Sequence, residues 1–209
     1  MLENAKIRNP NHIKKGETMK VEPVKDVKAI KRIQKLLDDS PRDLCFFTLG
    51  INTAYRANEL LRLTVGDVEH LAPGDVLEVK QSKTDKHRTA TVNNSAVMAI
   101  DNWLAHHPNR IATAPLFPST RGGAPMTVSA MTRKVKEWCG NVGLRGNYGT
   151  HTLRKTWGYQ QLRLNKDTPP HMVMPLLMDA YGHSSQKQTL DYLCIQSDEV
   201  ANLFMQVEL

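Results

Sequence analysis

Four apolar residues near the start of the chain recur at three- and four-residue steps, as they do on one face of an amphipathic helix: Val27, Ile30, Ile33 and Leu37. Pro41 suits the first turn of a second helix, and the apolar segment DLCFFTLGI after it predicts that this helix is buried. The segment ANELLRL predicts a third helix that ends before Gly66. This part of the chain is therefore expected to be helical.

The hydrophobic period then changes to one typical of strands. In DVLEVKQSKTDKHRTATVN, two short β-prone runs flank the polar tip SKTDKH, which predicts a β-hairpin. Ser95 is expected to cap the next helix, and Thr127 to open another that ends at Gly140. Four further helices are predicted in the segments HTLRKTWGYQQLRL, HMVMPLLMDAY, QKQTLDYLCI and DEVANLFMQV. The expected fold class is mostly α with one small antiparallel β-sheet.

Residues 1–23 differ from the rest because they are polar, contain two prolines and show no apolar period. We expect them to form a flexible basic arm or linker. Residues 24–209 are expected to form one folded domain, since no repeat or low-complexity tract interrupts them. The chain could be complete or a fragment of a longer protein, and the sequence leaves both alternatives open.

Composition narrows the class of protein. With 40% hydrophobic and 23% charged residues, the chain is globular. It has neither a secretory signal nor an apolar run of membrane-spanning length, so we expect a cytoplasmic protein without a membrane partner. The net charge of +7 favours a polyanion such as DNA, although many basic proteins bind no nucleic acid. Cys45, Cys139 and Cys194 lack metal-ligand spacing, and we expect them to be small buried hydrophobic residues.

The candidate site residues carry little information when each is considered separately. An arginine beside a helix is usually solvated, a lysine at a hairpin tip usually aids solubility, and a tyrosine in a helix is usually part of the core. Their order along the chain is more informative. The segments TAYRANELLRLTVGDV, VKQSKTDKHRTATV, THTLRKT and YGHSSQKQTLDYL resemble, in sequence order, the signature segments of the tyrosine recombinases, also called the phage integrase family. The last segment, in which Tyr192 follows His183 by nine positions, is the most specific.

The resemblance covers about residues 24–196, and it implies that 24–209 is the catalytic domain of a site-specific DNA recombinase or integrase. Two arginines, Arg56 and Arg154, would hold the non-bridging oxygens of the scissile phosphate with fixed donors that stay charged. Glu59, which matches the family's acidic position, would orient Arg56, although an exposed helical glutamate is an equally good interpretation. No cofactor, metal or nucleotide is implied.

The remaining residues would move protons and attack the phosphate. Tyr192 would be the nucleophile and form a 3′-phosphotyrosyl intermediate, with His151 assisting the proton transfer and His183 donating a hydrogen bond to the phosphate. Lys83 would protonate the leaving 5′-oxygen, with Lys86 as its rival on the same hairpin. The expected partners are double-stranded DNA and further copies of the chain in a dimer or tetramer, with no small-molecule substrate. Residues 197–209 would form a helix that is exchanged between copies.

Three departures from the family pattern are visible. Ala54 and Tyr55 stand where the family has a small and then an aliphatic residue, and Lys155 stands where histidine is common. The stretch between His151 and His183 is also a few residues longer than usual. Among short forms, the chain most resembles the fimbrial phase-switch recombinases. A type IB topoisomerase and a DNA-binding regulator that has lost catalysis remain the alternatives.

Overall fold

The computed structural model describes residues 20–80, 87–195 and Met205. In chain order, the helices and strands are α1 (Val27–Leu36), α2 (Pro41–Thr53), α3 (Ala57–Leu60), β1 (Val76–Lys80), β2 (His87–Thr91), α4 (Asn94–Ala105), α5 (Val128–Asn141), α6 (Thr150–Leu164), α7 (Pro170–Tyr181) and α8 (Gln186–Leu193). The two strands pair antiparallel, with Leu77 opposite Ala90. The predicted fold class is therefore confirmed. None of the described helices is long and apolar enough to cross a membrane.

Local capping chemistry explains where most helices begin. Pro41 occupies the first turn of α2, and the Thr127 hydroxyl accepts a hydrogen bond from Ala130 N at the start of α5, as predicted. The prediction for α4 was wrong by two residues. Asn93, not Ser95, caps this helix, because the Asn93 side chain accepts from Ala96 N at 3.0 Å.

Helix α3 is a single turn of four residues, although the sequence pattern predicts a helix over 57–63. Local turn hydrogen bonds continue as far as Leu63 N, and from Leu63 O onward the backbone forms tertiary hydrogen bonds instead. Leu116 N donates to Leu63 O at 2.8 Å, and Val65 N donates to Ala114 O at 2.9 Å. Pairing with a distant segment therefore ends the helix.

The main hydrophobic core surrounds α2, which packs against α4 and α6. Phe46 lies edge-on to Phe117 with ring centroids 5.2 Å apart, and Phe47 lies edge-on to Trp138 at 6.2 Å. These rings fill the space between helices whose apolar stripes the sequence already shows. The core thus holds α2 and α6 in a fixed relation, and both lead into the candidate site.

Tyr55 attaches the β-hairpin to this core directly before Arg56. The side chain is buried, and its hydroxyl donates to Leu77 O on β1 at 2.5 Å and lies 3.2 Å from Arg88 O on β2. An aliphatic residue could not make these contacts. The tyrosine at this family position therefore has a structural explanation, which is to connect the hairpin to the chain that carries Arg56.

Residues 21–24 run in extended form along α6. Glu22 N donates to Asn147 O at 2.8 Å, and Val24 N donates to the Thr156 hydroxyl, also at 2.8 Å. Val24 is 1% exposed. The start of the predicted domain is thus held by both hydrogen bonds and burial.

Candidate active site

Five of the six catalytic residues expected from the sequence lie within the described part of the chain, and they come from four places in the fold. Arg56 precedes α3, His151 and Arg154 lie on α6, His183 follows α7 and Tyr192 lies on α8. The sixth, Lys83, and its rival Lys86 lie outside the described residues. Core packing brings the five together although Arg56 and Tyr192 are far apart in sequence.

Arg56 is held by Glu59, one turn into α3. Its Nη1 donates to Glu59 Oε1 at 2.8 Å, and its backbone N donates to Glu59 Oε2 at 2.6 Å. Glu59 is 3% exposed, whereas 41% of the Arg56 side chain is exposed. The interpretation of Glu59 as an exposed helical glutamate is therefore wrong. The buried carboxylate orients a guanidinium group on a partly exposed side chain.

Arg154 is held differently, by backbone carbonyls rather than by a carboxylate. Its Nη1 donates to Ala54 O and its Nη2 donates to Tyr181 O at 2.9 Å. Its guanidinium carbon lies 4.6 Å from the centroid of the Tyr181 ring, and the residue is 2% exposed. Burial, followed by the charge of Arg88, lowers the Arg154 pKa to about 10, so the group stays charged at neutral pH.

Two of these partners depend on unusual local backbone. Ala54 is the C-cap of α2 and has φ of 57°, in the left-handed region that non-glycine residues rarely adopt. Gly182, with φ of 67°, ends α7 just after Tyr181. Both helix ends thereby turn a carbonyl toward Arg154, which connects α2, α6 and α7 at one point.

Tyr192 is half-buried among charged and aromatic groups. Its hydroxyl lies 3.3 Å from His151 Nδ1, and its ring packs edge-on against Tyr181 and His183 at 5.1 and 5.2 Å between centroids. Burial raises the pKa of Tyr192, while Arg154, Arg56 and Arg88 oppose this rise. A phenol in this position needs both positive charge and a proton acceptor before it can attack.

His151 is suited to accept that proton. Burial lowers its pKa below the ordinary value of 6.5, and the charges of Arg154, Lys155 and Arg56 lower it further. The neutral imidazole therefore persists at neutral pH. With its proton on Nε2, the ring leaves Nδ1 free to accept from the Tyr192 hydroxyl.

His183 stacks on Tyr181 with centroids 5.1 Å apart, and its Nδ1 lies 3.1 Å from the hydroxyl oxygen of the fully buried Thr189. Burial and then Arg154 lower the His183 pKa. When the Thr189 hydroxyl donates to Nδ1, the neutral ring carries its proton on Nε2 and can donate it to a phosphate. The Thr189 hydroxyl also lies 3.4 Å from Ser185 O, so it selects Nε2 as the donor of His183 only when its proton points to Nδ1 rather than to that carbonyl.

Arg88 belongs to this region although the sequence analysis did not select it. It lies on β2, lines the same cleft as Arg56, and donates from Nη2 to Ala180 O. Its charge also lowers the pKa values of Arg154 and His183. The sequence shows an arginine a few residues after the hairpin tip. Which face of the strand this side chain lies on becomes clear only when the position of the hairpin on the domain is known.

The cysteines follow the sequence expectation only in part. Cys45 and Cys139 are buried, and burial raises the pKa of each thiol. Cys194 is half-buried and accepts a hydrogen bond from Lys155 Nζ at 3.4 Å, so it does not lie in apolar surroundings as expected. Among residues 20–80 and 87–195, no group of three or more histidine, cysteine or acidic side chains could hold a metal ion.

The described residues thus bring two arginines, two histidines and a tyrosine together on a mostly helical domain. A sequence profile described as the phage integrase family matches residues 24–198, and the chain belongs to this family. This membership confirms the resemblance drawn from the four sequence segments. It also favours the recombinase over the topoisomerase alternative.

Two curated relatives are similar over most of their own length. The probable integrase/recombinase YoeC of Bacillus subtilis (strain 168) is 32% identical over 179 residues, covering 85% of this chain and 92% of YoeC. The type 1 fimbriae regulatory protein FimB of Escherichia coli (strain K12) is 25% identical over 154 residues, covering 72% of each chain. This chain is thus similar to a fimbrial regulatory protein, as expected, and to a probable integrase/recombinase.

A solved structure shares the fold. The XerH site-specific recombinase bound to palindromic difH substrate, in a post-cleavage complex, superposes with a TM-score of 0.65 at 20% identity. The match covers 90% of this chain and 53% of XerH, so this chain spans about half the length of that protein.

Proposed function

We propose that this chain is a site-specific DNA recombinase that cleaves and rejoins DNA through a covalent bond to Tyr192. The observation that carries the proposal is the contact of 3.3 Å between the Tyr192 hydroxyl and His151 Nδ1, in a site that also presents three guanidinium groups. A phosphodiester repels nucleophiles by its charge, and these groups offset that charge where the nucleophile approaches.

In the proposed cleavage step, a bond forms between Tyr192 Oη and phosphorus, and the bond from phosphorus to the 5′-oxygen breaks. The phenolic proton passes to His151, and Lys83 gives a proton to the leaving 5′-oxygen. Rejoining is the reverse reaction with the 5′-hydroxyl of another strand. The phosphotyrosine ester conserves the energy of the broken bond, so the chain needs no nucleotide, and we expect cleavage to proceed in excess EDTA.

The two anchored arginines retain donors for the phosphate. A guanidinium group has five N–H donors. Arg154 uses two of its donors on the Ala54 and Tyr181 carbonyls, and Arg56 uses one on Glu59. Their remaining donors would bind the non-bridging oxygens in a fixed, bidentate arrangement. His183 would add a neutral donor.

The proposed partners are double-stranded DNA and further copies of this chain. A palindromic site, such as the substrate in the XerH structure, suits two protomers related by a two-fold axis. We propose residues 24–209 as the catalytic domain, with 1–23 as an arm whose last residues pack against it, and 197–209 as a helix exchanged between protomers. Apart from Met205, these last residues lie outside the described part of the chain. A DNA substrate supports a cytoplasmic site of action.

The test uses nicked DNA that carries the native attachment site, on which cleavage traps the covalent adduct. The parent should form a DNA–protein adduct that survives denaturation. Tyr192→Phe should bind the DNA as well as the parent and form none, while Tyr159→Phe, a control on α6, should behave as the parent does. An adduct formed by Tyr192→Phe would show that another residue is the nucleophile.

A second experiment tests the general acid. If Lys83 protonates the leaving oxygen, Lys83→Ala should cleave normal DNA slowly but recover on a strand with a 5′-bridging sulfur, because a thiolate leaves without a proton. If Lys86→Ala, and not Lys83→Ala, recovers on the sulfur-substituted strand, Lys86 is the general acid. If the lysine only binds phosphate, its replacement by alanine should weaken the binding of both DNA substrates equally.

A further inference from the structure

Lys155 packs against the ring of the proposed nucleophile and has almost no contact with solvent. The residue is 4% exposed, and its Nζ lies 4.8 Å from the centroid of the Tyr192 ring. The same atom donates to Cys194 Sγ at 3.4 Å. Because a buried ammonium group has lost its hydration, it keeps its charge only where nearby groups compensate for that loss.

The hydrogen-bond partner of Lys155 is a sulfur atom rather than a carboxylate. Across residues 20–80 and 87–195, none of the ion pairs includes Lys155. Cys194 Sγ lies 3.6 Å from Val21 O, to which its thiol donates. Cys194 and the Glu22 carboxylate oppose the lowering of the Lys155 pKa by burial. The group beside the ammonium that becomes an anion during the reaction is the phenol of Tyr192.

We propose that Lys155 is a positioning residue that stabilises the anionic form of Tyr192 through the face of its ring. The inference rests on the proposed function, in which Tyr192 is the nucleophile. A cation beside a neutral ring interacts with a quadrupole, whereas beside a phenolate it interacts with a full charge. The ammonium group is buried, so that difference is screened less than it would be on the surface.

The same side chain also restrains the end of α8. Cys194 is the C-cap of this helix, with φ of 60°, two residues after Tyr192. By holding both the ring and the cap, Lys155 restricts the movement of the nucleophile. The histidine common at this family position is shorter and neutral near pH 7, so the lysine gives this chain a buried charge that a histidine would not supply.

Other groups act on the same phenol. The charged or titratable side chains around Tyr192 come from every neighbouring element: Lys20, Arg56, Arg88, His151, Arg154, Lys155, Tyr181, His183, Asp191 and Cys194. Burial raises the pKa of Tyr192 and lowers that of Lys155. A phenolate next to the ammonium group would offset the effect of burial on the pKa of each residue.

The test measures the phenol directly and needs no DNA. A ring-fluorinated tyrosine, which titrates nearer neutrality than tyrosine, is incorporated at position 192 and followed by ¹⁹F NMR against pH. Removing the charge with Lys155→Met or Lys155→Gln should raise the titration midpoint by about 1 pH unit. Lys155→Arg should leave it unchanged. Lys166→Met is the matched control, because Lys166 is exposed and lies beyond the end of α6.

Cleavage by the unlabelled variants supplies the second readout. In Lys155→Gln the pH–rate profile should move to higher pH, with cleavage about tenfold slower at pH 7 and recovery at alkaline pH. Glutamine retains the hydrogen bond to Cys194, so this variant carries the test if Lys155→Met fails to fold by circular dichroism.

Two outcomes would overturn the inference. One is an unchanged ¹⁹F midpoint in the folded neutral variants. The other is a Cys194→Ala variant that loses as much cleavage as Lys155→Gln without a shift of either pH profile, since Lys155 would then act only by holding the helix end. A shifted midpoint in a protein that forms no DNA adduct would support the electrostatic contact and count against the proposed function alone.

Discussion

Within the described residues, the two hydrophobic clusters are built in different ways. The larger cluster extends from α1 to α6 and consists mainly of aliphatic and aromatic side chains in direct contact. The smaller one, around Tyr192, has four buried apolar members in the described chain, Ala54, Tyr181, Leu193 and Ile195. There the tyrosine rings pack on Arg154, Lys155 and His183, and directional hydrogen bonds complete the structure.

The difference separates the residues that stabilise the fold from those that position the reacting groups. Apolar burial is non-directional and contributes most of the free energy of folding. Hydrogen bonds in the smaller cluster add less net stability but fix the positions of the reacting groups. Substitutions in the larger cluster should therefore change the free energy of unfolding, while those in the smaller cluster should change the cleavage rate.

The largest effects are expected at the two arginines. Arg154→Lys and Arg56→Lys should each slow cleavage by about 10²-fold, because lysine cannot present the planar donors. Arg154→Lys should also lower the free energy of unfolding by about 1–3 kcal/mol, since it leaves a buried carbonyl unpaired. Arg56→Lys keeps a cation beside Glu59 and should melt as the parent does.

Single-turnover cleavage and urea denaturation would measure both quantities for the arginine variants. Cleavage by Arg154→Lys within threefold of the parent would argue that this arginine is only structural.

The next prediction compares one substitution in each of the two clusters. A Cβ at Gly158 would collide with the Tyr181 hydroxyl, which donates to Arg154 O at 2.8 Å. Gly158→Ala should displace the ring on which His183 and Tyr192 pack and slow cleavage by about 10²-fold. Met131→Ala in the larger cluster should cost about 2–5 kcal/mol of stability and leave the rate per folded molecule unchanged. If both substitutions changed the cleavage rate per folded molecule equally, the two clusters would not differ in their effect on catalysis.

A smaller effect is expected from the tautomer of His183. Thr189→Val keeps the shape of the side chain but removes the hydroxyl next to Nδ1, so cleavage should slow about tenfold, as the loss of one hydrogen bond implies. Thr132→Val is the control, because it removes a hydroxyl that donates to the Val128 carbonyl within α5. An unchanged rate for Thr189→Val would mean that this hydroxyl does not orient His183.

The smallest effect concerns pH. Protonated His151 cannot accept the Tyr192 proton, so the cleavage rate should fall at acid pH. Because burial and three nearby cations lower its pKa, the fall should be centred below 6.5. A rate profile measured between pH 5 and 8 would show this, with His171→Gln, an exposed histidine on α7, as control. A midpoint at or above 6.5 would contradict the lowering of the His151 pKa.

Most helices and the residue types of the site were predictable from the chain alone. The apolar stripe from Val27 to Leu37 and the prolines and hydroxyl residues at helix starts act through neighbours a few positions away. The order of Arg56, His151, Arg154, His183 and Tyr192 along the chain likewise needs no coordinates to be compared with a family. Such local and linear signals specify elements and candidates.

Packing between distant segments decided the rest. α3 stops after one turn because residues 63–65 pair with 114–116, and Asn93 replaces Ser95 as a cap where the hairpin meets α4. Arg88 and Lys155 join the site only because the hairpin, α6 and α8 converge on Tyr192. The exposure of a charged side chain depends on which elements cover it, and no local sequence window contains that information.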